Sequence, residues 1–283
     1  MTAQKTDLTF RRIFSSFLLS FFFFYSGCAS NAQKNSNQFS ASSKELAAGE
    51  AIHEQIINDF KPYPDTKLNN YVQEIVTKLA AHAKRKNLNY RVTILNDERI
   101  YAISAPGGDI YITTSFLVFL KNEAELASVL GHEIGELQFL DPQFNPLRKT
   151  MDGVTQVGSM IGPMLGQIGA LASLGLVALH AAYARDPNLE SRILSSDQWA
   201  MNAMVQSGYD PQSLLDVMEH FAKYDRQALS LFYDYYQSRP ITVPRLKAAH
   251  EAFGKLKMDG IELKTNYDVY SENIKTLNQN PVN

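Results

Sequence analysis

The chain has 283 residues, 45% of them hydrophobic, so it can bury the core of one compact domain or of two small ones. Its formal net charge of −2 gives no electrostatic reason to expect nucleic-acid binding. Because the sequence contains one cysteine, an internal disulfide is excluded.

The N-terminus has the layout of a secretory signal. Lys5, Arg11 and Arg12 precede an apolar run that is too short for a comfortable membrane span. These features predict a signal peptide over residues 1–27.

The only cysteine, Cys28, follows that run directly in the sequence YSGCAS. This stretch resembles a bacterial lipoprotein signal, in which the cysteine is lipidated and becomes the new N-terminus. By the same resemblance, Ala29 in the next position favours the outer membrane. The alternative is an ordinary signal peptide with an incidental cysteine.

The rest of the chain is predicted to form a tether, a domain and a tail. Residues 28–43 are polar and small, which predicts a flexible tether. Residues 44–256 carry the periodic patterns of a folded domain, and residues 257–283 have weak signals and are assigned to a C-terminal tail.

The elements of the domain follow in chain order. Helical spacing of apolar residues predicts helices in SKELAAGEAIHEQIINDF and TKLNNYVQEIVTKLAAHAKR, and alternation predicts strands in YRVTILND, IYAIS and DIYITT. A short helix near residues 116–120, a helix from Glu123, and three later helices in DQWAMNAMVQSG, PQSLLDVMEHFAKY and VPRLKAAHEAFGKL complete the list. The predicted fold class is mainly α with a small β-sheet.

A segment without charge separates the helix that begins at Glu123 from the later helices. Residues 153–184 contain no formally charged side chain, and their length could cross a bilayer. Several glycines, one proline and two glutamines dilute their apolar character, which favours helices that are buried or cover the site. A membrane-touching surface and a true span remain alternatives.

The sequence EAELASVLGHEIGELQFL, Glu123 to Leu140, carries the chemical signal of the chain. Positions four apart lie on one face of a helix, and zinc peptidases place two metal-binding histidines there, with a glutamate after the first as general base. Here His132 and Glu133 are present, but Glu136 stands in the second histidine's position. A carboxylate can bind zinc, so this change weakens the site without abolishing it.

The surrounding sequence resembles the membrane-associated zinc metallopeptidases that include the CAAX prenyl protease and the periplasmic beta-barrel assembly-enhancing protease. The resemblance rests on SAPGGDIYITTSFLVFLKNEAELASVLGHEIGE, on SGYDP and on SRPITVPRL. It implies a zincin-like fold, with zinc as cofactor if the protein is active.

The resemblance also exposes three departures at the metal site. The second histidine is Glu136, the family's third ligand, a glutamate, falls on Ile193, and a later histidine falls on Arg239. Asp197, which by the family's pattern supports the ligands, is retained. Glu190 is the nearest acid that a local shift could bring to the third position.

These changes suggest an internal replacement for the metal. Glu133 and Glu136 would lie close together in a cleft, where two like charges raise one pKa or demand a cation. We hypothesise that Arg239 pairs with Glu136, and shares its charge with Glu133; a solvated surface arginine is the alternative.

The turn formed by Pro106, Gly107 and Gly108 is a candidate substrate-binding element. Together with the following IYITT it resembles the family's edge strand, to which a peptide backbone adds as an extra strand. The alternative is a simple hairpin turn.

Three functions are therefore open. The favoured one is a lipid-anchored envelope pseudopeptidase, without bound metal, that binds or regulates envelope proteins or peptides. The second is an active zinc metalloendopeptidase that acts on envelope proteins, with Glu133 as general base and with His132, Glu136 and either Glu190 or another group as ligands. The third is a structural envelope component. All three place the protein in the periplasm, attached to the membrane through Cys28.

Overall fold

The computed structural model of the protein describes residues 41–140, 188–224 and 240–279, all within one compact unit that begins at Ala41. The predicted signal peptide, Cys28, the tether up to residue 40, the uncharged segment 153–184 and Arg239 lie outside the described residues. Among the residues in these three ranges, no helix combines the length and the apolar character needed to cross a membrane.

The unit is mostly helical and contains one small sheet, as the sequence predicts. The helices are α1 (Ser43–Asp59), α2 (Thr66–Ala80), α3 (Thr114–Phe119), α4 (Glu123–Phe139), α5 (Leu189–Gln206), α6 (Gln212–Tyr224), α7 (Val243–Phe253), α8 (Tyr267–Asn273) and α9 (Lys275–Gln279). The strands are β1 (Arg91–Leu95), β2 (Ala102–Ser104) and β3 (Asp109–Thr113).

Polar side chains fix where several of these helices begin. The side chain of Asn122 accepts a hydrogen bond from the backbone N–H of Glu125 and so caps α4. Ser42, Thr113 and Thr242 cap α1, α3 and α7 in the same way. The cap fixes where α4 begins, and so it fixes which face of the helix each later residue occupies.

The sheet has the strand order β1-β3-β2, with β3 parallel to β1 and antiparallel to β2. The interpretation of IYITT as an edge strand is therefore wrong, because β3 is hydrogen-bonded on both sides. Within the described parts of the chain, β2 has β3 as its only partner strand. Alternating side chains alone do not reveal which strand is central, because the order is set by the connections in space.

The two faces of the sheet pack against different helices. Ile110 and Ile112 point into the main core, which they share with apolar residues of α2 and α4. Tyr111, between them in sequence, points to the opposite face and packs with Ile52 and Ile56 of α1. The sheet is thus enclosed between α1 on one side and the α2–α4 layer on the other.

The C-terminal region belongs to the same core. Tyr270, Ile274 and Leu277 are buried in the main cluster, and the hydroxyl of Tyr270 donates a hydrogen bond to the carbonyl of Leu117. The expected tail from residue 257 is therefore part of the domain through residue 279. The spacing of these three residues, i, i+4 and i+7, is a helical signal within the sequence assigned to the tail.

The first prediction tests this part of the core with two tyrosines of one helix. Tyr270 is 1% exposed and Tyr267 is 60% exposed. We expect Tyr270→Ala to lower the free energy of unfolding by about 3–5 kcal/mol, because it removes a buried aromatic ring. Tyr267→Ala should change it by less than about 0.5 kcal/mol. Urea unfolding followed by circular dichroism measures both, and equal effects would show that residues 257–279 are not part of the stable core.

Candidate functional site

The site is built on the contact between α4 and α5. Every residue of α4 from Glu123 to Leu137 is buried. A methyl group at Gly135 would lie 2.8 Å from the Cα atom of Ser196, and one at Gly131 would lie 3.1 Å from the Cβ atom of Ala200. The two glycines therefore let the helix backbones approach closely, which brings residues 132–136 opposite residues 192–197.

His132 is held from the side of α5 by Asp197. Its Nδ1 atom lies 2.6 Å from Asp197 Oδ1, and Arg245 of α7 donates from Nε to Asp197 Oδ2 at 2.8 Å. Burial would raise the pKa of Asp197, but the charges of Arg245 and His132 and their hydrogen bonds outweigh burial and lower the pKa to about 2. Asp197 is thus ionised at neutral pH, and the Nδ1–H group of His132 donates to it.

The other ring nitrogen of His132 faces the second position of the motif. Nε2 lies 3.8 Å from Glu136 Oε1, and it makes no hydrogen bond with any described residue. The prediction that His132 and Glu136 share one face of the helix, with Asp197 beside them, is consistent with this geometry.

Glu136 is paired with Arg192, which is not among the predicted site residues. Arg192 Nε donates to Glu136 Oε2 at 3.0 Å, and both side chains are about 2% exposed. Arg239, the predicted partner, lies outside the described residues, so that pairing stays a prediction. Arg192 precedes Ile193 and lies on the buried face of α5. A charged residue on an apolar helix face needs an acidic partner, and this signal could have identified it.

The position that the resemblance assigns to the third ligand holds no donor. Ile193 is buried there and offers no lone pair to a metal. Glu190 is exposed and lines a surface groove of about 550 Å³ together with Gln198 and Glu251, so it does not join His132 and Glu136.

The described residues therefore do not fit a catalytic zinc ion. Such an ion takes three protein ligands and one open position. In the described ranges, no three side chains of histidine, cysteine, aspartate or glutamate are grouped so that they could hold a metal. Of the two candidate donors, the carboxylate of Glu136 already binds a guanidinium. Glu133, the candidate general base, is fully buried beside them.

The predicted substrate turn forms, but it lies under α1. Gly107 and Gly108 have φ angles of 93° and 113°. Residues with a side chain rarely adopt such angles, so the turn requires glycine at both positions. Pro106 and Gly108 are buried, and a methyl group on Gly49 of α1 would come within 2.0 Å of the Pro106 carbonyl oxygen. A peptide could pair with this turn only if α1 moved away.

Comparison with known proteins identifies one family. A sequence profile of peptidase family M48 matches residues 66–252. This range contains α4, α5 and nearly all of α7, and it leaves out α1 and the helices after α7.

Individual relatives are distant and longer. The beta-barrel assembly-enhancing protease of Yersinia pestis is 23% identical over 189 residues, which are 65% of this chain and 38% of that protein. The protein of the same name from Escherichia coli K12 is 20% identical over 245 residues, 83% of this chain and 48% of its own. The mitochondrial metalloendopeptidase OMA1 of Arabidopsis thaliana is 25% identical over 175 residues, which are 61% of this chain and 33% of that protein. The chain spans less than half the length of these curated relatives.

The second prediction measures the strength of the Arg192–Glu136 pair. Arg192→Met leaves a buried carboxylate without this cation, so we expect it to lower the free energy of unfolding by about 3–5 kcal/mol at neutral pH. The double variant Arg192→Met/Glu136→Gln should lower the free energy of unfolding by less than the sum of the two single variants. We expect the difference, which is the coupling energy, to be about 1–3 kcal/mol.

The exposed pair Lys247–Glu251, 3.9 Å apart on α7, is the matched control. Its coupling should be at most about 0.5 kcal/mol, because water and salt screen it. Urea unfolding of the four proteins in each cycle gives both values. A coupling for Arg192–Glu136 no larger than that of the control would contradict the central role assigned to the buried pair.

Proposed function

Because the chain belongs to peptidase family M48, we propose that it is an envelope lipoprotein that keeps the peptidase fold and has lost most or all of its catalysis. In this proposal it binds envelope proteins, or regulates an active peptidase, instead of cleaving its partners. The metallopeptidase-like domain is the scaffold, and the cleft around α4 is the place where the activity has changed.

The observation that carries the proposal is the buried ion pair between Arg192 and Glu136. Arg192 Nε donates to Glu136 Oε2, so a zinc ion bound through Oε1 would lie beside a buried guanidinium that carries charge of the same sign. If the ion displaced the guanidinium instead, it would break a buried ion pair, which costs about 3–5 kcal/mol. The described residues supply no third ligand in return, since Ile193 stands in that position. Without an activated water molecule, Glu133 has no proton to accept as a general base.

The envelope location and the binding role are supported by sequence. Two relatives are named for enhancing beta-barrel assembly. Cys28 follows a signal-like segment, as in bacterial lipoproteins, and Ala29 favours the outer membrane. Binding an extended segment of another protein needs no metal, because such a segment pairs through its backbone. Of the described strands, β2 has one edge that no other described strand occupies.

An active zinc metalloendopeptidase with an unusual ligand set is the second candidate. It is favoured by the contact between His132 and Asp197, because zinc-binding histidines commonly donate their other ring N–H to a carboxylate. This candidate needs a third ligand from outside the described residues, and it needs the metal to bind Glu136 through Oε1, the oxygen that Arg192 Nε does not contact.

The third prediction separates the two candidates by metal content. We expect the purified full chain, expressed with added zinc, to contain far less than one zinc per molecule by atomic emission spectroscopy. It should digest casein no faster than its Glu133→Gln variant, which controls for contaminating proteases. The same variant pair should bind unfolded, carboxymethylated casein equally well, as measured by fluorescence anisotropy.

Other results would decide against the pseudopeptidase. About one zinc per chain that is lost in Glu136→Ala, together with casein digestion that is lost in Glu133→Gln, would establish the metalloendopeptidase. A chain without zinc that also fails to bind unfolded casein would favour the purely structural component.

The fourth prediction concerns the lipid anchor. Cells that express the full chain with radiolabelled palmitate should incorporate label into the protein, and Cys28→Ser should abolish the label, since it removes the only thiol. Ser26→Ala is the control, because it changes a neighbouring residue and leaves the cysteine in place. Equal labelling of the wild type and the Cys28→Ser variant would contradict the anchor.

A further inference from the structure

Three segments of the unit meet around one buried arginine. Arg85 follows α2, and its guanidinium donates to Glu45 Oε2 at the start of α1 at 2.6 Å and to the carbonyl of Leu137 near the end of α4 at 2.8 Å. The side chain of Gln138 accepts from the backbone N–H groups of Lys84 and Arg85 at 2.7 and 3.1 Å. The start of α1, the loop after α2 and the end of α4 are therefore neighbours.

The residues that flank these contacts are exposed and are either apolar or basic. Leu46 and Phe139 are each 45% exposed, although both are large apolar side chains. Lys44, Lys84 and Lys86 are also exposed. We call this set of five residues the basic end.

The charge of the basic end is not neutralised by nearby acids of α1. Glu45 is buried and paired with Arg85, so these two charges cancel each other. The first exposed acidic residue of α1 is Glu50, more than one turn beyond Lys44. Three lysine side chains thus give this surface a local positive charge in a chain whose overall charge is negative.

This chemistry fits a lipid surface better than a protein partner. Lysine is depleted in protein–protein interfaces, which favour arginine and clustered aromatic residues. A few exposed apolar side chains surrounded by lysines are typical of surfaces that lie on anionic bilayers, because the long lysine side chains reach the headgroups while the apolar groups enter the interface.

The position of the basic end in the chain points to the same partner. The described unit begins at Ala41, shortly before Lys44, and the predicted tether from Cys28 enters the unit there. The chain leaves α4 after Phe139 and continues toward the uncharged sequence of residues 153–184. The predicted lipid anchor and the uncharged sequence are therefore both joined to the unit at this end.

We propose that the basic end is a membrane-contact surface that binds anionic phospholipid and turns this end of the domain toward the bilayer. The inference goes beyond the proposed function. An acyl chain on Cys28 would keep the protein at a membrane, whereas the basic end would set the orientation of the domain on it. The surface acts by its own charge and does not require the acyl chain.

The fifth prediction tests this surface on the full chain reconstituted in vesicles. One set of vesicles contains phosphatidylcholine alone, and the other contains phosphatidylcholine with a minor fraction of phosphatidylglycerol. A membrane-impermeant, amine-reactive acetylating reagent labels accessible lysines, and mass spectrometry gives the labelling rate of each one. We expect the rates at Lys84 and Lys86 to fall about fivefold on the anionic vesicles.

Two controls make the result specific to the basic end. Lys247 on α7 and Lys255 after it are also exposed and take no part in the contacts around Arg85, so their rates should be the same on both vesicles. In the Lys84→Glu/Lys86→Glu variant, Lys44 should lose its protection on the anionic vesicles. Because both changes are on exposed side chains, this variant should fold normally.

The outcomes separate this inference from the proposed function. Equal rates at Lys84 and Lys86 on the two vesicles would overturn the inference, even if the protein stays bound to both through an anchor. Equal protection of these lysines in detergent without lipid would also overturn it, because another protein surface would then cover them. If the protein binds the anionic vesicles and does not bind vesicles of phosphatidylcholine alone, the result would support the basic end and contradict the acyl anchor.

Discussion

The structure depends on one constraint, which is that α4 is buried along nearly its whole length while it carries ionisable side chains. A buried charge is tolerated only when it is paired or hydrogen-bonded. Several polar residues of α4 therefore bind neighbouring elements. Glu123 accepts from the hydroxyl of Tyr71 on α2 and from Asn266 at the start of α8. Glu136 binds Arg192 of α5. The same contacts that satisfy α4 thus assemble the helices around it.

The site follows from this constraint. In a zinc peptidase the acids and histidines of the ligand helix are satisfied by a dication, and the metal organises the cleft. Here a guanidinium from α5 pairs with one oxygen of the carboxylate at the second ligand position, and Asp197, itself paired with Arg245, holds Nδ1 of His132. The polar core of the fold is therefore held together by ion pairs between described residues, and this is why the fold can persist when the ligand set has changed.

Much of the fold and part of the site were predictable from local sequence. The helical period around His132 and the capping residues before several helices are local signals. The resemblance of SGYDP and SRPITVPRL to one family placed Ile193 at a ligand position and Asp197 at a supporting position. Other features were missed because they depend on elements far apart in sequence. The central position of β3 depends on which strands pair, and the burial of Tyr270 depends on a contact with α3.

The sequence by itself determined that one helix carries His132, Glu133 and Glu136, and its resemblance to one family placed Glu136 and Ile193 where that family has metal ligands. Only the tertiary structure showed that Arg192 pairs with Glu136. Arg192 reaches that carboxylate because Gly131 and Gly135 let α5 approach α4 closely, and that approach fixes the rotation and the register of α5. A pairing across two helices is set by their packing, which residue order along either helix does not specify.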